Sequence, residues 1–443
     1  MWFLAIFLLL TLVLPGFAQK KPSQFTCVSC HPYELDEKHK LPCTRCHQGK
    51  SPAQNQKEAH QGLIRHPASP ENYQKTCGTC HPKEIKKLSQ SPHLTLKNMI
   101  NGVLTAFGLK PVSSIAELPS PQKIKTKEDL VIDLLRRRCL RCHLYYQGDD
   151  YEETKRGLGC AACHLYFAQG EMKTHEFLKT PPDRLCLHCH YGNKVGFDYY
   201  GMFEHDYPYQ FRSPLIDGEL PPRPWGVEFH EMSKDVHLKN GMPCMACHTG
   251  EELMAGGKRP SCLSCHKLSE KDYYHRQEVL AKARCSACHA RFSFQDKDTY
   301  LMLQEDPDWD DWIEFYVQGS SEIEKLIATY YLKGEAKALM LDKISSKLRP
   351  GVWFKGFDSR RFEEIPLGFD ENGKVSVMRP VLDLHLSYVD AYDEVVFDDL
   401  TPDKTKVYRA YSPHTIGRAD YFRTQKVLKM IYENRYPKPK GHR

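Results

Sequence analysis

The unit Cys-x-x-Cys-His occurs nine times in this chain, and its nine copies use all eighteen cysteines. The copies are Cys27, Cys30 and His31; Cys43, Cys46 and His47; Cys77, Cys80 and His81; Cys139, Cys142 and His143; Cys160, Cys163 and His164; Cys186, Cys189 and His190; Cys244, Cys247 and His248; Cys262, Cys265 and His266; and Cys285, Cys288 and His289. No cysteine is left for a disulfide, a nucleophile or a separate metal site. Cys-x-x-Cys alone also occurs in zinc ribbons and thioredoxin-like motifs, but neither they nor a disulfide framework explains a His directly after every second Cys. With that His, each copy is the attachment signature of haem c. The two thiols add to the vinyl groups of one haem, and the adjacent His sits beneath the iron as its proximal ligand. The expected cofactor is nine covalent haems.

At motif level, over about residues 27 to 289, the chain resembles the multihaem c-type cytochromes. The resemblance implies covalent haem, export before attachment, and electron transfer as the default activity. The fold class expected is a multihaem cytochrome: mainly α and irregular loop wrapped around haems, low in strand, with a mixed α/β haem-free C-terminal region. A mean hydropathy of −0.57 and 41% hydrophobic residues are modest for 443 residues, and porphyrin faces would supply the missing core. Such a chain is expected to be largely unfolded without haem.

The motifs come in three groups of three. Motif starts are 16 to 34 residues apart within groups, and 62 and 58 apart between them. The expected organisation is a signal peptide at 1–18, a first trihaem module at 19–95, a linker at 96–130, a second module at 131–195, a loop-rich linker carrying distal His at 196–240, a third module at 241–295, and a haem-free region at 296–443 covering the last haems. Within that region, 322–348 has helical periodicity, 370–374 reads as a hairpin turn, 375–389 alternates as a strand would, and 417–434 reads as helix.

The uncharged apolar run Met1 to Ala18 ends in a small-residue cleavage site, Gly16-Phe17-Ala18, and suits a secretory signal. An uncleaved membrane anchor is the alternative. The expected location is the periplasm, with the cell surface or a membrane-anchored state as alternatives. The formal charge of +6 is offset by two propionates per haem, so it carries no nucleic-acid reading. Arg136-Arg137-Arg138, just before Cys139, is expected to offset propionates; a phosphate-binding patch is the alternative.

Nine of the twenty-two His are proximal ligands, and the rest can supply distal ligands for bis-His haems. The candidates are His39, His60, His66, His93, His175, His205, His230, His237, His275 and His414. His188, inside a motif loop, is awkwardly placed; His385 reads as an ordinary strand residue, and His442 as free. Ser412-Pro413-His414-Thr415-Ile416-Gly417 and the run Cys285 to Asp296 resemble segments of the octahaem tetrathionate reductase and hydroxylamine oxidoreductase-like branch. A further haem motif would follow His414 there, whereas this chain has Ala419 to Gln425 without Cys, and no Cys-x-x-Cys-Lys motif.

Bis-His iron is six-coordinate and low in potential. The reading is therefore a conduit between a membrane quinol-linked donor and a terminal acceptor or reductase, with no catalytic residue assigned. The alternatives are a reductase of a small nitrogen or sulfur compound or oxyanion at one open haem, and a self-associating structural subunit of a haem filament.

Overall fold

A computed structural model of the chain describes residues 24–433 apart from 193–194, 205–214, 216, 220, 270, 293, 298, 315–317, 357–358, 363–364, 381 and 404–407. The signal peptide expected at 1–18 lies outside the described residues, as do His205 and His442. Among the described residues no helix is long and apolar enough to cross a membrane.

Two helices and a four-stranded sheet build the largest core. Helix α1 (Lys97–Ala106) carries Ile100, Val103 and Leu104 inward. Helix α2 (Lys127–Arg137) starts with a capping box. The Thr126 hydroxyl accepts from the Asp129 N–H at 3.1 Å, and the Asp129 carboxylate accepts from the Thr126 N–H at 2.9 Å. Leu130, Val131, Leu134 and Leu135 of α2 are fully buried, as expected of a helix that is apolar on more than one face. The sheet comprises β1 (Thr299–Gln304), β2 (Val352–Lys355), β3 (Leu384–Val389) and β4 (Val395–Leu400), in the order β4-β3-β1-β2. β3 runs parallel to β1, with Leu386 opposite Leu301, and the other pairs are antiparallel. Leu384, Leu386 and Tyr388 alternate onto the buried face and join Leu303, Trp312, Trp353 and Phe354 against α1 and α2.

The segment 96–130, read as a linker, therefore supplies much of this core. The apolar stripe of α1 meets a sheet more than 150 residues later in the chain, and such a partner is invisible to local periodicity. The stretch 322–348 is also more varied than its periodicity suggests. It is helical only in α3 (Ser321–Lys333) and then forms a small hairpin of Leu339–Leu341 and Leu348–Pro350. Residues 370–374 form the turn between the strands Leu367–Phe369 and Val375–Pro380, with the Asp370 N–H donating to the Lys374 carbonyl at 2.9 Å.

A second core lies at the ninth motif. Val279, Ala283 and Ala287 pack on Val427, Leu428, Met430 and Ile431 of helix α4 (Tyr421–Glu433). The Arg423 side chain donates to the Ala287 and Cys288 carbonyls, both at 3.1 Å. The tail thus covers the last motif, but it also closes over α2 and the fourth.

Arg136 and Arg137 do not face outward toward propionates or phosphate. Arg136 grips Asp342 in a fork, Nε to Oδ2 at 2.7 Å and Nη2 to Oδ1 at 3.1 Å. Arg137 donates to Asp133 at 2.7 Å and to the Gly351 carbonyl at 2.7 Å. Both arginines are buried, and both serve the join between α2 and the C-terminal region.

Candidate functional site

All nine Cys-x-x-Cys-His units lie on helical segments, most of them a single turn. In most of these the His N–H donates to the carbonyl of the first Cys, as at His31, His47, His81, His164, His248 and His266, over 2.8–3.0 Å. The turn brings both thiols and the imidazole to one side. None of the eighteen cysteines is in a disulfide, and among the described residues no three His, Cys, Asp or Glu side chains converge on a point that could hold a metal ion.

Among the described residues, seven motif His lie across from a second His. The ring centres are 6.3 Å apart for His31 and His60, 6.0 Å for His47 and His175, and 6.2 Å for His81 and His39. They are 6.0 Å apart for His190 and His93, 6.3 Å for His248 and His414, 6.0 Å for His266 and His237, and 5.9 Å for His289 and His275. Two imidazoles sharing one metal ion, with bonds of about 2 Å and each nitrogen about 1 Å from its ring centre, sit roughly 6 Å apart. The seven pairs match that span.

The outer nitrogens are held as ligating imidazoles require. His47 Nδ1 donates to the Ile64 carbonyl at 2.9 Å, His164 Nδ1 to Leu178 at 2.7 Å, and His289 Nδ1 to Gly417 at 3.1 Å. Carboxylates do the same for four more: Asp36 for His39, Asp235 for His237, Glu252 for His248 and Asp272 for His275, at 2.9–3.2 Å. Each contact engages Nδ1, the nitrogen that does not ligate when Nε2 does. Burial also pushes His190 and His414 down to about 4, with neighbouring imidazoles adding to the shift, so both rings are neutral at pH 7. Neutral imidazole is the metal-binding form.

The remaining predicted ligands fall elsewhere. His66 is exposed, and its backbone carbonyl accepts from Ser69 and Asn72. His230 stacks on Phe203 at 6.5 Å. His385 stacks on Tyr300 at 4.3 Å and bonds Asp399. His188, awkwardly placed within its motif, is fully buried, and its Nδ1 donates to the Glu153 carbonyl at 2.7 Å. The helix Asp183–His190 turns His188 away from His190, a separation that the five-letter motif does not reveal.

Thiol neighbours give the order of the motifs in space. Cys43 lies against Cys27, and Cys46 near Cys77. Cys77 touches Cys160, Cys163 lies near Cys186, and Cys186 touches Cys244. Cys247 neighbours Cys265, and Cys262 touches Cys285. The line runs through motifs one, two, three, five, six, seven, eight and nine. The fourth sits beside the sixth, where Cys142 touches Cys189. Gly159 permits the crossing from third to fifth: its φ is +55°, and a Cβ there would lie 1.9 Å from the Ala68 carbonyl.

Comparison with protein-family models, curated proteins and solved structures finds no match for this chain.

Proposed function

We propose that this chain is an exported nine-haem c-type cytochrome that carries electrons between a membrane donor and a terminal acceptor. The observation that supports the reading best is the set of seven His pairs at the span of a shared metal. Each pair joins a motif His to one outside the motifs, which a zinc or disulfide protein has no reason to do. Haem bound at these residues would supply reversible one-electron chemistry at iron. The chain's part would be to supply two imidazoles at each paired motif, hold their outer nitrogens, and set the motifs in a nearly unbranched line. Charge and burial around each pair then tune its potential.

The test is a haem count on the exported protein. Nine covalent haems per chain, reversibly reducible at low potential, are expected; bound zinc or cystine in place of haem would end the reading. His414→Met replaces one His/His set by His/Met and should raise one component of the potentiometric titration by on the order of 100 mV. The other components should stay in place. A titration indistinguishable from the parent would remove His414 from the seventh pair.

A further inference from the structure

Two of the carboxylates that hold an imidazole have a second duty, and it is the same in both. Asp235 takes two donors on Oδ1, the backbone N–H of His237 at 2.7 Å and its ring Nδ1 at 2.9 Å. Its Oδ2 accepts from the N–H of Ile416, two residues beyond His414. His237 belongs to the pair of the eighth motif and His414 to that of the seventh. Asp36 repeats the arrangement toward the other end of the line. It accepts from His39 Nδ1 at 2.9 Å and from the N–H of Phe177, two residues beyond His175, at 3.1 Å. His39 belongs to the pair of the third motif and His175 to that of the second.

In each case the two pairs so joined are neighbours: Cys46 lies near Cys77, and Cys247 near Cys265. The second donor is remote in sequence, 141 residues from Asp36 and 181 from Asp235, so chain proximity does not produce the arrangement. Asp235 is buried and Asp36 partly so. Asp272 gives the contrast. Its Oδ2 takes His275 Nδ1 at 2.9 Å, but its Oδ1 takes the N–H of Tyr274 in the same turn, also at 2.9 Å, so both oxygens serve one pair.

A carboxylate bonded to Nδ1 makes an imidazole the stronger ligand through Nε2, and negative charge beside a haem favours its oxidised state. Two acceptor oxygens let one carboxylate answer donors on two sides. A carboxamide of the same size has one acceptor oxygen and sets an NH₂ against the other donor.

We propose that Asp36 and Asp235 are shared positioning residues, each setting the imidazoles, and with them the potentials, of two adjacent centres. This role rests on the cytochrome reading above and deepens it: neighbouring centres are tuned in couples, two with three and seven with eight.

The test is a potentiometric titration of holoprotein carrying Asp235→Asn, Asp36→Asn or Asp272→Asn, with covalent haem counted in parallel. Nine haems are expected in each. Asp235→Asn should raise two components. The larger shift, about tenfold in the reduction equilibrium or about 59 mV for one electron, belongs to His266 with His237. The smaller should fall on the component that His414→Met identifies. Asp36→Asn should raise two other components, and Asp272→Asn one. A single shifted component in either of the first two variants would overturn the proposal for that residue, whose carboxylate would then serve its own imidazole alone. Two components moved by Asp272→Asn would overturn it as well, since a coupled response would need no shared carboxylate. Parental potentials, or shifts spread over most components, would mark a role in the fold alone and overturn it too. Should Asp235→Asn lose haem, Asp36→Asn, at the more exposed site, decides. A parent chain without covalent haem would instead end the cytochrome reading itself.

Discussion

Asp133→Ala is expected to destabilise the protein by about 3–5 kcal/mol, the cost of stranding a buried charge. Asp133 accepts from Arg137 at 2.7 Å and from the Trp353 indole N–H at 2.8 Å, and it faces Arg349 at 3.2 Å. Arg137 and Trp353 are both fully buried, so water cannot replace the lost acceptor. Asp133→Asn keeps an acceptor oxygen and should cost less. Urea midpoints of the holoproteins, converted with a common m-value, decide the order; an alanine variant within 1 kcal/mol of the parent, by the ordinary spread of surface changes, would refute the assignment. Asp342 adds a pH dependence. Burial pushes its carboxyl up, but the Arg136 fork and the Ser345 and Ile344 N–H groups outweigh this and hold it below its ordinary value. Its contribution is therefore present above the unfolded carboxylate pKa of about 4 and is lost as pH falls through the folded value.

The haem-free chain should keep one part of its structure and lose the rest. Residues 24–95 bury only Ala53, Ala68, Ile85 and Leu88 among their hydrophobics, and no hydrophobic described between Val227 and Val279 is buried. By contrast α1, α2 and the sheet share a core of leucine, isoleucine, tryptophan and phenylalanine that uses no motif His. In a variant with all eighteen cysteines changed to serine, hydrogen exchange should be rapid over 24–95 and 230–275. Protection should persist over 130–135, 301–304, 352–354 and 384–388. Uniform exchange throughout would show that even this core depends on the motifs, as composition alone suggests.

What was legible in the sequence follows from the range of each constraint. The Cys-x-x-Cys-His units are legible because two thiols and an imidazole fall within five residues, so their spacing is itself the signal. Distal candidates were legible as a supply but not as pairs: His39 and His93 follow neighbouring motifs yet face His81 and His190. Backbone carbonyls that hold Nδ1 leave no trace in side-chain identity. The burial of His188 was not legible, because the helix that turns it inward extends beyond its motif. The Arg136 and Arg137 run was misread because a charge run is ordinarily solvated, and its carboxylate partners, Asp342 and Asp133, are unremarkable residues in the sequence. The core under α1 and α2 was missed because its other half lies beyond the last cysteine.

His248 and His414 are the most widely separated of the seven pairs, and the strand of chain between them includes the whole sheet. Val236 N–H donates to the Ile416 carbonyl at 3.0 Å, which pins the His414 turn beside its partner. A chain synthesised from its N-terminus therefore presents His248 long before His414 exists. Closure of the pair of His248 with His414 becomes a marker of synthesis through residue 414: a product ending upstream can close the other six pairs yet leave His248 single, a defect that a quality-control protease or a simple spectrum could read.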